Sequence, residues 1–552
     1  MAVRFPSSAH VDTFAFDHLP PVEQWPELMF TLPELQYPAR LNCANAFLDE
    51  MVARGFADKV AIRSANAQWT YAELTHKVNQ IAQVLVQDMG LVPGNRVLLR
   101  GANNPMMAAC ILAVWKAGLI AVPTMPLLRA KELSVIINKA QISAALCSSA
   151  LFEEMKLAQE MAPVLKQMKC FNVDANAAED FGHSVDGLMQ SKSAQYTAVD
   201  TDAEDVCLIS FTSGTTGMPK GTMHFHRDVL AICDCFPRST LKAQENDVFI
   251  GTPPLAFTFG LGGLLLFPLR FGATAVLLEK LTPENLLKAI DEFQATTCFT
   301  APTFYRQMLP LVKNFSLKSL QKTVSAGEAL PAATREAWQA ATGLIMIDGI
   351  GATEMLHIFI SAAGAEARAG ATGKAIPGYQ ACVLDEEGKP APVGVIGRLA
   401  VKGPTGCRYL ADERQKNYVF QGWNLTGDAY EMDAEGYFHY RARTDDMIIT
   451  AGYNVAGPEV EEVLLKHPEV AECAVVGLPD EERGQIVKAF VVLRDSSKAH
   501  LGDQPNHALI KELQDFVKNA VAPYKYPRAI EFREALPRTE TGKVQRFKLK
   551  QV

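Results

Sequence analysis

At 552 residues the chain exceeds what one apolar core supports, since single cores stop growing near ~250–300 residues, so at least two domains are expected. Hydrophobic residues at 48% and charged residues at 21% exclude a largely disordered chain. A formal net charge of −8 gives no global attraction to nucleic acid or anionic lipid, so neither nucleic acid nor a membrane is an expected partner.

The first residues, Met-Ala-Val-Arg-Phe-Pro-Ser-Ser, lack the apolar core of a signal peptide. The apolar run 108–122 is interrupted by Lys116 and ended by Pro123, and the run 260–278 is broken by Pro268 and Arg270. Neither reaches the ~20 uninterrupted apolar residues that cross a bilayer. The 11 cysteines are scattered, and the one close pair, Cys233 and Cys235, is not a zinc ligand set. They read as reduced core thiols of a cytoplasmic protein.

Up to about residue 300 an apolar helical stretch such as 107–117 alternates with short β-rich runs such as 97–99 and 207–211. That alternation predicts parallel sheets covered by helices. From Ala381 turn signals crowd closer, at 385–388, 392–394 and 433–436, and predict a smaller β-rich subdomain. Beyond Arg443, Pro458 opens a predicted helix with Glu459, Glu461 and Glu462 early and Lys466 and His467 at its end, an order that suits the helix dipole. Strands are expected at 472–476 and 489–493. The predicted fold is therefore a large α/β N-terminal domain, 1–443, built of two parallel-type α/β subdomains plus a β-rich subdomain, and a small α+β C-terminal domain, 444–552.

The strongest chemical signal is Phe211-Thr-Ser-Gly-Thr-Thr-Gly-Met-Pro-Lys-Gly221, which follows a β-rich run. Such a loop turns successive N–H groups and hydroxyls toward phosphate oxygens, and Lys220 adds a point charge. It is not a Walker A loop, because Pro219 stands where that pattern needs glycine. Further along come Ser325-Ala-Gly-Glu-Ala-Leu-Pro331, Asp348-Gly-Ile-Gly-Ala-Thr-Glu354, Trp423-Asn-Leu-Thr-Gly-Asp428, Tyr440-Arg-Ala-Arg-Thr-Asp-Asp446, Ile448-Ile-Thr-Ala-Gly-Tyr-Asn454 and Pro537-Arg-Thr-Glu-Thr-Gly-Lys543. Read singly, the first four and the last of these are a strand with a turn and helix start, a helix cap, a Thr-Gly-Asp turn, an exposed charged turn and a solvated lysine.

In this order, over nearly the whole chain, they resemble the motifs of the adenylate-forming superfamily of acyl-CoA synthetases, luciferases and peptide-synthetase adenylation domains. The resemblance implies an AMP-forming acid–CoA ligase that uses ATP, Mg²⁺ and coenzyme A. It assigns Thr212, Ser213, Thr215, Thr216 and Lys220 to phosphate. Gly327, Glu328 and Ala329, with Asp348, Gly349 and Ile350, would line the adenine, Ile350 standing where an aromatic is common. Thr353 would touch the α-phosphate and Glu354 would hold Mg²⁺. Asp428 and Arg443 would bind ribose. Asp445 would be the hinge of a mobile small domain, Gly452 would line the CoA tunnel, and Lys543 would be the catalytic lysine. Pro537-x-x-x-x-Gly542-Lys543 also resembles sequences acetylated by bacterial acyltransferases, so a lysine acetyltransferase and deacetylase acting on Lys543 are expected partners.

Within the superfamily, Glu354-Met-Leu-His-Ile-Phe-Ile360 looks like the benzoate–CoA ligase branch. Phe257 matches an aromatic gate, and Thr258, Phe259, Gly260, His357 and Ile358 form the expected wall of a pocket for a small aromatic acid. Benzoate-specific members carry Ala-Tyr where this chain has Thr258-Phe259. The run Ala9-His-Val-Asp-Thr-Phe-Ala15, with Leu19-Pro-Pro21 and Gln24-Trp-Pro26, resembles 2-aminobenzoate–CoA ligases. The expected acid is 2-aminobenzoate, then benzoate. Three rivals stay open: a medium-chain fatty acyl-CoA ligase, an enzyme loading aryl acid onto a separate carrier protein (no Gly-Gly-x-Ser motif follows Lys543), and a non-catalytic adenylate-binding sensor. Monomer and homodimer both stay open.

Overall fold

The computed structural model describes residues 7–174, 176, 178–212, 218–450, 453–480, 483–501, 504–538 and 544–551. A six-stranded sheet runs in the order Gln167–Phe171, Ala144–Ser148, Arg96–Arg100, Ile120–Thr124, Val206–Thr212, Lys220–Phe225. Every pairing in it is parallel except the last, where Val206–Thr212 and Lys220–Phe225 form an antiparallel ribbon. The central strands are buried along their whole length, which is why they read as unbroken apolar runs rather than alternating ones. Helix Pro105–Lys116 is buried at every position. Asn104 caps it by accepting from the Met107 N–H, and Pro105 sits at its first turn, where no N–H is needed. The Lys116 ammonium escapes burial as a bare charge by pairing with Asp49 at 2.6 Å.

A nine-stranded sheet follows. Its parallel interior runs Ile347–Gly351, Lys322–Ser325, Thr297–Thr300, Val248–Gly251, Thr274–Val276, Val60–Arg63. Antiparallel strands close both edges, Ile358–Ala362 with Lys374–Ala375 on one side and Gln68–Thr70 on the other. One continuous core joins the two sheets, from Val97 and Leu99 in the first to Phe249, Phe299 and Ile358 in the second. An antiparallel sheet of Gln380–Leu384, Gly397–Lys402, Trp423–Met432, Val419–Phe420 and Phe438–Arg443 forms the β-rich part. Beyond it, strands Val470–Asp480, Gly484–Leu493 and Ala529–Phe532 and helices Gly457–Leu464 and His507–Ala520 enclose a separate small core around Val460, Val475, Ala489 and Leu513.

Two local readings change. Helix Gly457–Leu464 stops before Lys466 and His467, which pair sideways instead, Lys466 with Glu462 at 3.5 Å and His467 with Glu512 at 3.3 Å. Thr426-Gly-Asp428 is not a turn but part of strand Trp423–Met432. All 11 cysteines are free thiols and most are buried. Among the described residues no helix is long and apolar enough to cross a membrane.

Candidate active site

The antiparallel ribbon of the first sheet sets Thr212 opposite Lys220. Ser213, Thr215 and Thr216, on the connection between them, lie outside the described residues. Lys220 Nζ donates to the Tyr409 hydroxyl at 2.8 Å and lies 3.6 Å from Glu354 Oε1. The Tyr409 hydroxyl donates to the same Oε1. Burial, with the Glu354 charge next in importance, pushes the phenol far up, so it stays a donor. Thr353 precedes Glu354, and its carbonyl faces His224 Nε2 at 2.9 Å. His224 Nδ1 lies 3.8 Å from Asp228, which pairs with Arg408, all three side chains fully buried. Burial opposes the Asp228 charge most strongly, but Arg408, the His224 side chain and Arg227 together outweigh it and hold the carboxyl well below the usual range.

The proposed nucleotide face lies on the second sheet. Strand Lys322–Ser325 runs into a turn that holds Gly327, and Glu328 Oε2 accepts from the Thr303 hydroxyl at 2.7 Å and its N–H at 3.2 Å. Ala329 lies between this turn and helix Ala332–Thr342. Asp348 pairs in register with Ser325. Burial pushes its carboxyl up to about 7, with Arg335 opposing. Gly349 and Ile350 follow on the same strand, and Ile350 is half-buried against the core. Asp428 and Arg443 face each other on neighbouring strands, Arg443 Nη1 donating to Asp428 Oδ1 at 3.0 Å. Gly427 makes this possible: its φ is +77°, and a Cβ there would lie 2.7 Å from Arg443 Nη2. Arg443 Nε is also 3.8 Å from Asp445.

The proposed acid pocket is apolar. Phe257 precedes helix Thr258–Leu261, in which Thr258 and Gly260 are buried and Phe259 is half-buried. The His357 ring centre lies 4.5 Å from Phe267, 5.7 Å from Phe259 and 5.8 Å from Phe236. Neither ring nitrogen makes a well-formed hydrogen bond among the described residues, the Phe259 backbone offering only a weak one. Burial pushes the imidazole down to about 3, the Phe259 carbonyl opposing, so it is neutral at physiological pH. Gly262 leaves room for it, because a Cβ would sit 2.4 Å from His357 Cδ2. Leu356, between Glu354 and His357, has φ +68°, a left-handed conformation that a branched side chain rarely adopts. Ile358, buried, begins the edge strand.

At the joint, the Asp445 carbonyl accepts from Lys550 at 3.2 Å, and Lys550 pairs with Asp446 at 2.8 Å. Arg546 binds both oxygens of Glu461, at 2.8 and 2.9 Å. Glu472 accepts from Arg538 at 2.7 Å and lies 3.6 Å from Arg306 of the large domain. Gly452 and Lys543 lie outside the described residues; Arg538 and Val544, which flank the Lys543 segment, are bridged as antiparallel partners.

Motif reading missed Tyr409, Arg408, Asp228 and His224, and missed Phe236 and Phe267 around His357. The one hint for Tyr409 and Arg408 is the turn-rich Gly403-Pro-Thr-Gly406 before them. Among the described residues, Cys43, Cys207 and His226 are near enough to share a metal ion. However, His226 Nδ1 accepts the Cys43 N–H at 3.1 Å, which uses the lone pair a metal would take.

A family of AMP-binding enzymes matches residues 49–409, and the C-terminal domain of AMP-binding enzymes matches 459–543. The chain is 35% identical over 526 residues to a benzoate–CoA ligase of Thauera aromatica, covering 94% of this chain and 98% of the relative. It is 32% identical over 542 residues to the human acyl-coenzyme A synthetase ACSM3, mitochondrial, covering 94% and 90%. Among solved structures, the anthranilate CoA ligase AuaEII in complex with anthranoyl-AMP superposes with a TM-score of 0.86 at 32% identity, covering 94% of this chain and 98% of that one.

Proposed function

This chain belongs to the AMP-binding enzyme family, and we propose that it is a ligase that adenylates a small aromatic acid, 2-aminobenzoate before benzoate, and passes the acyl group to coenzyme A. The observation that carries the choice of acid is the buried aromatic surround of His357, whose neutral ring offers a hydrogen-bond partner inside an otherwise apolar wall. The ortho amine of 2-aminobenzoate is neutral at pH 7 and needs such a partner rather than a counter-charge. Thr258, buried beside Phe259, is the second candidate. The similarity to an anthranilate CoA ligase and to a benzoate–CoA ligase supports the same class.

In the first half-reaction the acid's carboxylate oxygen attacks the α-phosphorus of ATP, and pyrophosphate leaves. Thr212, Ser213, Thr215, Thr216, Thr353, Lys220 and Lys543 donate to the oxygens on which charge builds. Glu354 fits a Mg²⁺ site: it is a buried hard-oxygen carboxylate beside the phosphate ribbon, and Mg²⁺ is usually held by one or two carboxylates together with substrate phosphates. Such an ion, held by Glu354, would draw off charge from the phosphate oxygens. Gly327, Glu328, Ala329, Asp348, Gly349 and Ile350 line the base, and Asp428 with Arg443 accounts for the ribose.

In the second half-reaction the small domain, taken from Thr444 onward, turns about Asp445, withdraws Lys543 and brings Gly452 to the site. The CoA thiolate then attacks the acyl carbon past Phe257, and AMP leaves. The separate core of the small domain and the ion pairs at the joint support a unit that turns as one body. Acetylation of Lys543 would remove the charge that faces the phosphate and so switch off the first half-reaction. Full activity of a stoichiometrically acetylated enzyme would end that idea.

The deciding experiment is an acid panel with thioester detection. 2-Aminobenzoate should exceed benzoate by about ten- to a hundred-fold in kcat/KM if one hydrogen bond decides. A medium-chain fatty acid outperforming every aryl acid would overturn the pocket assignment; benzoate in first place would overturn the substituent alone.

A further inference from the structure

The reading of Glu354 and Lys220 as phosphate-side groups leaves open what keeps them apart. Their charged atoms are 3.6 Å from each other, and one hydroxyl stands between them. The Tyr409 oxygen accepts from Lys220 and donates to Glu354, so its single proton and a lone pair are both in use. Tyr409 is itself held rigidly. It is fully buried, its N–H donates to Gln415 Oε1 at 2.9 Å, and its ring meets Tyr418 edge-on with centres 5.7 Å apart. Gln415 in turn donates to the Cys407 carbonyl at 3.0 Å and to the Gln24 carbonyl at 2.8 Å. The Lys220 ammonium lies 4.8 Å from the centre of the Tyr409 ring, a second anchor. The preceding residue, Arg408, pairs with Asp228, which lies 3.8 Å from His224, the residue whose Nε2 faces the Thr353 carbonyl. Two consecutive residues of one buried segment thus grip two consecutive residues of the Thr353-Glu354 turn.

We propose that Tyr409 is a positioning residue for Mg·ATP: its hydroxyl spaces Lys220 from Glu354, so that the carboxylate stays available to the metal and the ammonium to the phosphates. Without the hydroxyl, the two charges close from 3.6 Å to direct hydrogen-bond contact, a tighter pair that Mg·ATP must then break. The proposal rests on the ligase reading above.

The test is Tyr409→Phe, which keeps the ring and removes only the hydroxyl. The Mg²⁺ concentration at half-maximal adenylation should rise about tenfold, the loss expected when a hydrogen bond to a charged group disappears. Calorimetric affinity for an α,β-methylene ATP analogue should fall similarly with Mg²⁺ present and little without it. Thioester formation from supplied acyl-AMP should be unchanged. Tyr418→Phe, which removes a buried hydroxyl with no partner among the described residues, is the control and should keep wild-type Mg²⁺ dependence. In Tyr409→Phe, adding Lys220→Met should recover part of the Mg²⁺ response of analogue binding, because the competing ammonium is gone. Wild-type Mg²⁺ dependence in Tyr409→Phe, or equal loss in both half-reactions, overturns the proposal. A wild-type enzyme that forms no CoA thioester with any acid overturns the ligase reading instead.

Discussion

The turn 353–357 has two ends that solve opposite problems. At one end Thr353 and Glu354 are polar, and each is tied to a buried partner: the Thr353 carbonyl to His224, the Glu354 carboxylate to Tyr409 and Lys220. At the other end His357 is fully enclosed, with no well-formed hydrogen bond for either nitrogen among the described residues. A buried group left unpaired costs about 1–3 kcal/mol; the fold bears that cost at the His357 ring and avoids it at the Thr353 carbonyl and the Glu354 carboxylate. Leu356, in its left-handed conformation, is where the chain passes between the two environments. On the proposed function, the satisfied end serves chemistry common to every acid the enzyme activates. The unsatisfied end waits for the group that distinguishes one acid from another.

That contrast breaks most severely at the polar end. Glu354→Gln should lower adenylation by about 10²–10³-fold, the usual effect of deleting one electrostatic stabiliser. The preference between 2-aminobenzoate and benzoate should not change; a changed preference in kcat/KM would show that the two ends are not separate. Next comes Gly262→Ala. The new Cβ would press on His357 Cδ2 at 2.4 Å, and Phe267 blocks the ring's retreat. Overpacking of this kind costs about 1–3 kcal/mol, so KM for the aryl acid should rise about tenfold or more while ATP affinity holds. Unaltered acid kinetics would remove His357 from the pocket wall.

Thr258→Ala should be milder and act on a ratio. If Thr258 partners the ortho amine, the two acids should draw together by about tenfold in kcat/KM. An unchanged ratio would leave His357 as the partner. The smallest effect is on stability against pH. In the fold His357 titrates near 3 rather than 6.5, so between those values unfolding takes up a proton. The unfolded state then binds more protons, and stability falls as pH drops through that window and is untouched above it. His357→Phe should remove about one proton from the uptake measured by urea unfolding between pH 4.5 and 6.5. An identical slope in both proteins would mean that the ring is charged in the fold.

What could be read beforehand follows from distance along the chain. Asp348 through Glu354 form one contiguous segment, and Thr212 and Lys220 flank another, so a motif names them together. The layered fold was legible for a similar reason: strands such as Ile120–Thr124 are buried along their full length and carry the apolar runs that this demands. Tyr409 and Glu354 are 55 residues apart, and Arg408 and Asp228 are 180 apart. Only the folded sheets bring them together, and no spacing rule announces them. Thr426-Gly-Asp428 looked like a turn because its residue types favour turns. Pairing with strand Phe438–Arg443 overrides that preference, with Gly427 supplying the space Arg443 occupies.

The joint described above is closed by charge rather than by grease. The pair that crosses between the domains, Arg306–Glu472, is partly open to solvent, as are Arg538–Glu472 and Lys550–Asp446, which brace the small domain's side of the joint. Such contacts are screened by salt, over a Debye length of about 8 Å at physiological ionic strength, whereas an apolar seam is not weakened this way. The medium therefore acts as a dial on the balance between domain orientations, alongside the nucleotide. Scattering profiles of the free enzyme should broaden toward more than one arrangement as salt rises from about 0.05 to 0.5 M. A profile indifferent to salt would mean that the small domain is held by something other than these charges.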